Sequence, residues 1–137
     1  MSTSTPIVLY VEDDLASREV MVLILREMMG CDSYHLFEDS QDFMERVAAL
    51  TPQPNIILLD IHVPPYSGFE MLAMLRKDTK YQKIPIAALT ASVMNEEVQR
   101  LKDAGFNAVF SKPVDIDSFP EKLQRILNGE NLLYIAD

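Results

Sequence analysis

The chain has one cysteine, no tryptophan, two histidines and four glycines in 137 residues. A lone thiol, Cys31, excludes an intramolecular disulfide and fits a reduced compartment, with Cys31 read as a small buried or semi-buried residue. No apolar run approaches the roughly 20 residues of a membrane span. The opening Met1-Ser2-Thr3-Ser4-Thr5-Pro6 lacks both the basic and the apolar part of a signal peptide, which leaves the cytoplasm as the default location. Positive charge is scarce as well: 12 Lys+Arg stand against 21 Asp+Glu, a formal net charge of -9. So acidic a surface repels phosphate backbones, and direct nucleic-acid binding is not expected. What remains, at 48% hydrophobic and 24% charged residues, is the composition of a soluble globular protein with enough chain for one sizeable core.

The most informative stretch runs from Asn55 to Phe69. Ile56-Ile57-Leu58-Leu59 is apolar without alternation, as in a central strand of a parallel sheet covered on both faces. It ends in Asp60, and the Pro64-Pro65 turn and Gly68 follow. Asp60 is thereby placed at the C-terminal end of an interior strand, the edge where open α/β sheets bind ligands. Taken alone, such an aspartate reads more readily as a cap for the following helix.

Similar units recur along the chain. Ile7 to Val11 reads as strand 1, followed by Glu12-Asp13-Asp14. Helix 1 runs from Leu15 to Met29, with Val20, Leu23 and Ile24 near helical spacing and Gly30 closing it. A weaker strand covers Ser33 to Phe37. Ser40 reads as the N-cap of helix 2, which presents Phe43, Met44, Val47 and Leu50 and stops at Thr51-Pro52. Strand 3 is Ile56 to Asp60, and Gly68 opens helix 3 with Phe69, Leu72 and Leu75 inward. Pro85 introduces strand 4, Ile86 to Thr90. Asn95 reads as the cap of helix 4, which carries Val98 and Leu101 and stops at Ala104-Gly105. Strand 5 is Ala108 to Ser111, before Lys112-Pro113. Helix 5 runs from about Asp117 to Leu127, with Pro120 tolerated in its first turn. The tail Leu132-Leu133-Tyr134-Ile135 is apolar enough to pack against something. Strands alternating with helices predict one doubly wound, flavodoxin-like (βα)5 domain over residues 6–128, with right-handed crossovers and short tails at 1–5 and 129–137.

In a parallel sheet the ends of these strands share one edge. Glu12 and Asp13, Asp60, Thr90 and Lys112 would then surround a single crevice. Clustered carboxylates repel one another and are best held together by a cation. All the donors are hard oxygens, without a Cys or His pair, which selects Mg²⁺ over zinc or copper. Each residue also has an ordinary reading: the acids as charge at a helix N-terminus, Thr90 as a strand end bonding its own backbone, Lys112 as a solvated cation. Their joint arrival at one edge favours a site.

The motifs Val11-Glu12-Asp13-Asp14, Leu58-Leu59-Asp60-Ile61-His62-Val63-Pro64, Gly68, Leu89-Thr90-Ala91 and Ser111-Lys112-Pro113 resemble those of a response regulator receiver domain of the two-component phosphorelay. The resemblance covers about Pro6 to Asn128. It implies Asp60 as phosphoacceptor, with Mg²⁺ held by Glu12, Asp13, Asp60 and the backbone carbonyl of His62. It further implies Thr90 and Lys112 as the hydroxyl and cation that meet the phosphoryl group, a cis peptide before Pro113, and strand order 2-1-3-4-5. The phosphoryl donor would be a histidine kinase or a histidine phosphotransfer protein. Switching would act through Thr90, Ala91 and the position of Val109, altering the helix 4–strand 5–helix 5 face for a downstream target. Such a protein is a phosphoacceptor switch that catalyses only its own phosphorylation and dephosphorylation, as a monomer or a weak phosphorylation-dependent dimer.

The chain departs from the family pattern at a few positions. The family often carries Tyr or Phe three residues before the lysine, whereas Val109 stands here and Phe110 is expected on the opposite side of the sheet. His62 occupies a position that tunes water access to the phosphate in the family, and it also reads as an ordinary surface imidazole. Ser67 replaces a commonly acidic residue. A haloacid-dehalogenase-like phosphatase would need a second aspartate where His62 stands, and a flavodoxin a Ser/Thr/Gly loop where the three acids stand. A receiver fold used only for binding would not need the full set of site residues. Met1 and the end of the chain suggest a stand-alone receiver rather than one cut from a hybrid kinase.

Overall fold

The computed structural model describes residues 5–92 and 94–133. Five strands, β1 (Val8–Val11), β2 (Tyr34–Phe37), β3 (Ile56–Asp60), β4 (Ile86–Thr90) and β5 (Ala108–Ser111), form one sheet of order β2-β1-β3-β4-β5. Every pairing is parallel. The connecting helices are α1 (Leu15–Val22), α2 (Phe43–Ala48), α3 (Gly68–Lys77), α4 (Asn95–Ala104) and α5 (Phe119–Leu127).

Strand side chains alternate between faces, and the alternation divides the core in two. Leu9, Val11, Ile57, Leu59, Ala88 and Val109 meet α2, α3 and α4 through Phe43, Val47, Met71, Leu72, Leu75 and Leu101. Val8, Tyr10, Ile56, Leu58, Leu89 and Phe110 meet α1 and α5 through Met21, Leu123 and Ile126. All five residues of β3 are buried, because helices cover both of its faces. Truncating Leu58 or Leu59 to alanine would cost about 2–5 kcal/mol in so filled an interior. Val109 and Phe110 face opposite layers, as their adjacency in a strand requires.

Helices differ from the sequence reading at several points; α5 begins at Phe119 rather than about Asp117, and α2 ends at Ala48, short of Leu50. After Val22 the first helix continues as a π-helical segment, Leu23–Met28, in which Met29 N–H reaches back to Ile24 O. The wider turn buries Ile24 and Leu25 and leaves Leu23 47% exposed, where even helical spacing had turned it inward. Ser40 does not cap α2. That helix starts after Asp42, which has a left-handed backbone (φ 51°) and makes no side-chain cap, and Ser40 is buried against the β3–α3 loop instead. Asn95 is the first residue of α4, after an uncapping Met94. The tail finds its place through Leu132, which pairs with Ala108 along the outer edge of β5; Val109 N–H donates to its carbonyl at 2.9 Å. Tyr134 and Ile135 lie outside the described residues.

Candidate functional site

All strands point the same way, so the residues following β1, β3, β4 and β5 gather at one edge. Glu12, immediately after β1, is fully buried, and its N–H extends the pairing to β2 by donating to Phe37 O at 2.9 Å. Asp13 is exposed beside it. Asp14 belongs to the helix: its Oδ2 accepts from Ser17 N–H at 2.8 Å and from Ser17 Oγ at 2.7 Å, capping α1. The three consecutive acids therefore divide into two that face the edge and one that starts a helix.

Asp60 closes β3, with 7% of its side-chain surface left to solvent. Its Oδ1 accepts from His62 N–H at 3.1 Å and its Oδ2 from Lys112 Nζ at 3.0 Å. The same ammonium lies 2.8 Å from Glu12 Oε1, so one lysine bridges two buried carboxylates. Oxygens of Glu12, Asp13 and Asp60 all lie within 4.8 Å of one another. At such separations and an effective dielectric near 20, each pair of charges repels by about 3–4 kcal/mol. One lysine cannot compensate three carboxylates, and a divalent cation would restore neutrality. The donor set, all hard oxygen and partly open through Asp13, fits Mg²⁺.

The two buried acids are not equivalent. Burial raises the Glu12 pKa, and the adjacent Asp60 carboxyl adds to that, against the donors Lys112, Tyr10 and Asp14 N–H. For Asp60 the burial penalty is outweighed by Glu12, the His62 N–H and Lys112, which together hold it below the ordinary carboxylate value. Lys112 is disfavoured by burial but held above its ordinary value by Glu12 and Asp60. Of the two buried acids, Asp60 is thus the more readily ionised, beside an ammonium that the same carboxylates favour.

Thr90 ends β4, one step beyond Leu89, the register partner of Asp60. It is buried, and its Oγ1 accepts from Ser92 N–H at 3.1 Å, the local bond of a strand end. That bond leaves the hydroxyl proton free to be donated. Ala91 and His62 are exposed, Val109 is buried on the α4 side, and the Lys112–Pro113 peptide is cis. Lys112 N–H donates to Thr90 O at 2.9 Å, which fixes the ends of β4 and β5 together.

Two residues that touch the acids were not singled out in the sequence. Arg18, one turn into α1, donates from Nη1 to the backbone carbonyl of Glu12 at 2.8 Å, across a six-residue separation that no local periodicity signals. Tyr10 donates its phenol to Glu12 Oε1 at 2.8 Å, and it precedes Glu12 by the two residues that put both on one face of a strand.

Comparison with known proteins identifies the family and the fold. Residues 8–124 match the family described as the response regulator receiver domain. The polar-differentiation response regulator DivK of Brucella ovis is 28% identical over 123 residues, covering 90% of this chain and 97% of that protein. Among solved structures, the chemotaxis response regulator CheY4 of Vibrio cholerae superposes with a TM-score of 0.79 at 23% identity, over 90% of this chain and 99% of that one. The Mn²⁺-bound form of response regulator Rcp1 superposes with a TM-score of 0.71 at 24% identity, over 90% of this chain and 93% of that one. At these identities the structural matches establish the fold. Among the described residues no helix is long and apolar enough to cross a membrane.

Proposed function

The chain belongs to the response regulator receiver family, the phosphoacceptor switches of two-component signalling, and from that premise we propose that Asp60 accepts the phosphoryl group. The observation that carries the proposal is the Lys112 ammonium held between Asp60 and Glu12, at 3.0 and 2.8 Å. Glu12, Asp13, Asp60 and the carbonyl of His62, two residues further along the same loop, would hold Mg²⁺. When bound, the metal neutralises charge developing on the transferred group. That the Rcp1 receiver fold accommodates Mn²⁺ supports a divalent site in this architecture.

Phosphoryl transfer demands positioning and charge stabilisation more than covalent chemistry from the protein. An Asp60 oxygen attacks phosphorus, the P–N bond of a phosphohistidine on the partner breaks, and its electron pair returns to the imidazole, which takes up a proton. The His62 N–H keeps the carboxylate oriented, and Lys112 turns from the carboxylates to the new phosphoryl oxygens. The product is an aspartyl phosphate carrying about two negative charges.

That charge draws the Thr90 hydroxyl proton toward it. Because Thr90 Oγ1 also accepts from Ser92 N–H, movement of the hydroxyl carries the segment after β4 with it, and exposed Ala91 offers no bulk in the way. The consequence is a population shift in α4, β5 and α5, read by a downstream target. Val109 occupies the buried place between β5 and α4, so switching in this chain proceeds by movement of the β4–α4 segment without an aromatic side chain there. The donor is a histidine kinase or a histidine phosphotransfer protein.

Incubation with acetyl phosphate and Mg²⁺, followed by intact mass, tests the proposal. One added phosphoryl group is expected, absent from Asp60→Asn; a receiver fold used only for binding would gain none.

A further inference from the structure

We propose that Tyr10 is a positioning residue of the metal site: its phenol fixes the Glu12 carboxylate and selects the oxygen that remains for a divalent cation. The inference rests on the reading of Glu12 as a metal ligand and extends it to a residue that touches neither metal nor phosphoryl group.

Tyr10 lies in β1 between its register partners Leu36 and Leu58, 2% exposed, in a layer filled by Met21, Leu25 and Phe119. Packing there asks for an apolar ring of this size and gives no reason for a hydroxyl. A phenol placed in such a layer is costly unless its O–H finds an acceptor. Here the acceptor is Glu12 Oε1, at 2.8 Å within the protein interior.

Counting the donors on Glu12 shows what the phenol achieves. A carboxylate offers about four lone-pair positions. Oε1 receives Tyr10 Oη and Lys112 Nζ, each at 2.8 Å, and Oε2 receives Asp14 N–H at 3.1 Å. Oε1 is saturated, and the free position is on Oε2. Lys112 is shared with Asp60 and leaves for the phosphoryl group in the proposed reaction, whereas Tyr10 cannot leave. Tyr10 is therefore the donor that keeps Oε1 occupied and Glu12 in one rotamer throughout the cycle. Hydrogen-bonding partners behind a metal ligand commonly govern its affinity.

Calorimetric titration with Mg²⁺ of the unmodified chain, Tyr10→Phe and Leu123→Ala tests this. Leu123, buried in the same layer, controls for packing. Tyr10→Phe should bind Mg²⁺ about tenfold more weakly, while Leu123→Ala loses stability and keeps the unmodified affinity within about twofold. Equal affinity in Tyr10→Phe and the unmodified chain, or equal losses in both variants, overturns the proposal. If the unmodified chain bound no Mg²⁺, the reading of the site itself would fail, a distinguishable result. A second readout needs a folded chain but no change at position 10. The chain contains five tyrosines and no tryptophan, so its Mg²⁺-induced absorption difference is a tyrosine signal. That signal should persist when the other four tyrosines are replaced by phenylalanine; its disappearance would overturn the assignment.

Discussion

The Lys112 ammonium stands 3.0 Å from Asp60 Oδ2, joining residues 52 positions apart across the C-terminal edge of the sheet. Among the described residues it is also the only cation paired with the carboxylate of Glu12 or Asp60. Lys112→Met removes it and leaves two buried carboxylates facing each other. The variant should lose about 1–2 kcal/mol of metal-free stability, a figure set low because the lysine is partly solvated. Mg²⁺ should restore more stability to the variant than it adds to the unmodified chain. Urea unfolding with and without Mg²⁺ measures both, and an equal metal effect in the two proteins would contradict the electrostatic account.

Gly68 begins α3 directly beneath the site. A Cβ there would lie 2.7 Å from Ile61 Cδ1, 3.0 Å from Ile61 Cα and 3.2 Å from Asp60 O. The Ile61 side chain can turn aside, but the backbone cannot do so without displacing Asp60. Gly68→Ala should cost about 1–3 kcal/mol and slow phosphorylation by acetyl phosphate. Unfolding and intact-mass kinetics would show it; a stable variant phosphorylated at the unmodified rate would contradict the close approach.

Ser40 holds the loop that follows Asp60. Its Oγ accepts from Tyr66 N–H at 2.6 Å and lies 2.9 Å from Val63 O, to which it donates. Ser40→Ala leaves that N–H without its partner, and a loss of about 1–3 kcal/mol is expected. Amide exchange at Tyr66 should accelerate beyond the change in global stability. Unchanged protection at Tyr66 would show that the loop is held by other contacts.

Asp14 provides a test by pH. The Ser17 hydroxyl, then the Ser17 N–H, hold its pKa below the ordinary carboxylate value. With the folded-state value the lower one, its contribution is complete above the unfolded-state value and is lost as pH falls through the folded value. Asp14→Asn, which caps without a charge, should flatten the stability profile below about pH 4. An unchanged slope in acid would contradict the cap.

Which parts of this were legible in the sequence follows from how local each signal is. The unbroken Ile56–Leu59 run encodes burial on both faces, so the position of Asp60 could be read without a structure. The same holds for the gathering of Glu12, Asp13, Asp60, Thr90 and Lys112, because parallel topology brings strand ends together, whereas the strand order came only from the resemblance of the motifs to a family. Ser40 was not legible. A serine before a helical pattern usually caps it, and here the partners that outcompete the cap lie 23 and 26 residues away. The π-helical turn after Val22 escaped because it preserves apolar content and changes only which residues face inward. Tyr10 was hidden within an apolar strand, where its hydroxyl matters only once Glu12 is known to lie above it.

The most direct test is to locate the phosphoryl group. After reaction with acetyl phosphate and Mg²⁺, borohydride reduction and peptide mapping should convert Asp60 alone to homoserine, and chelation of the metal should abolish the conversion. Homoserine at Asp13 instead, 2-amino-5-hydroxypentanoic acid in place of Glu12, or conversion at Asp60 that persists undiminished in chelator, would contradict the account.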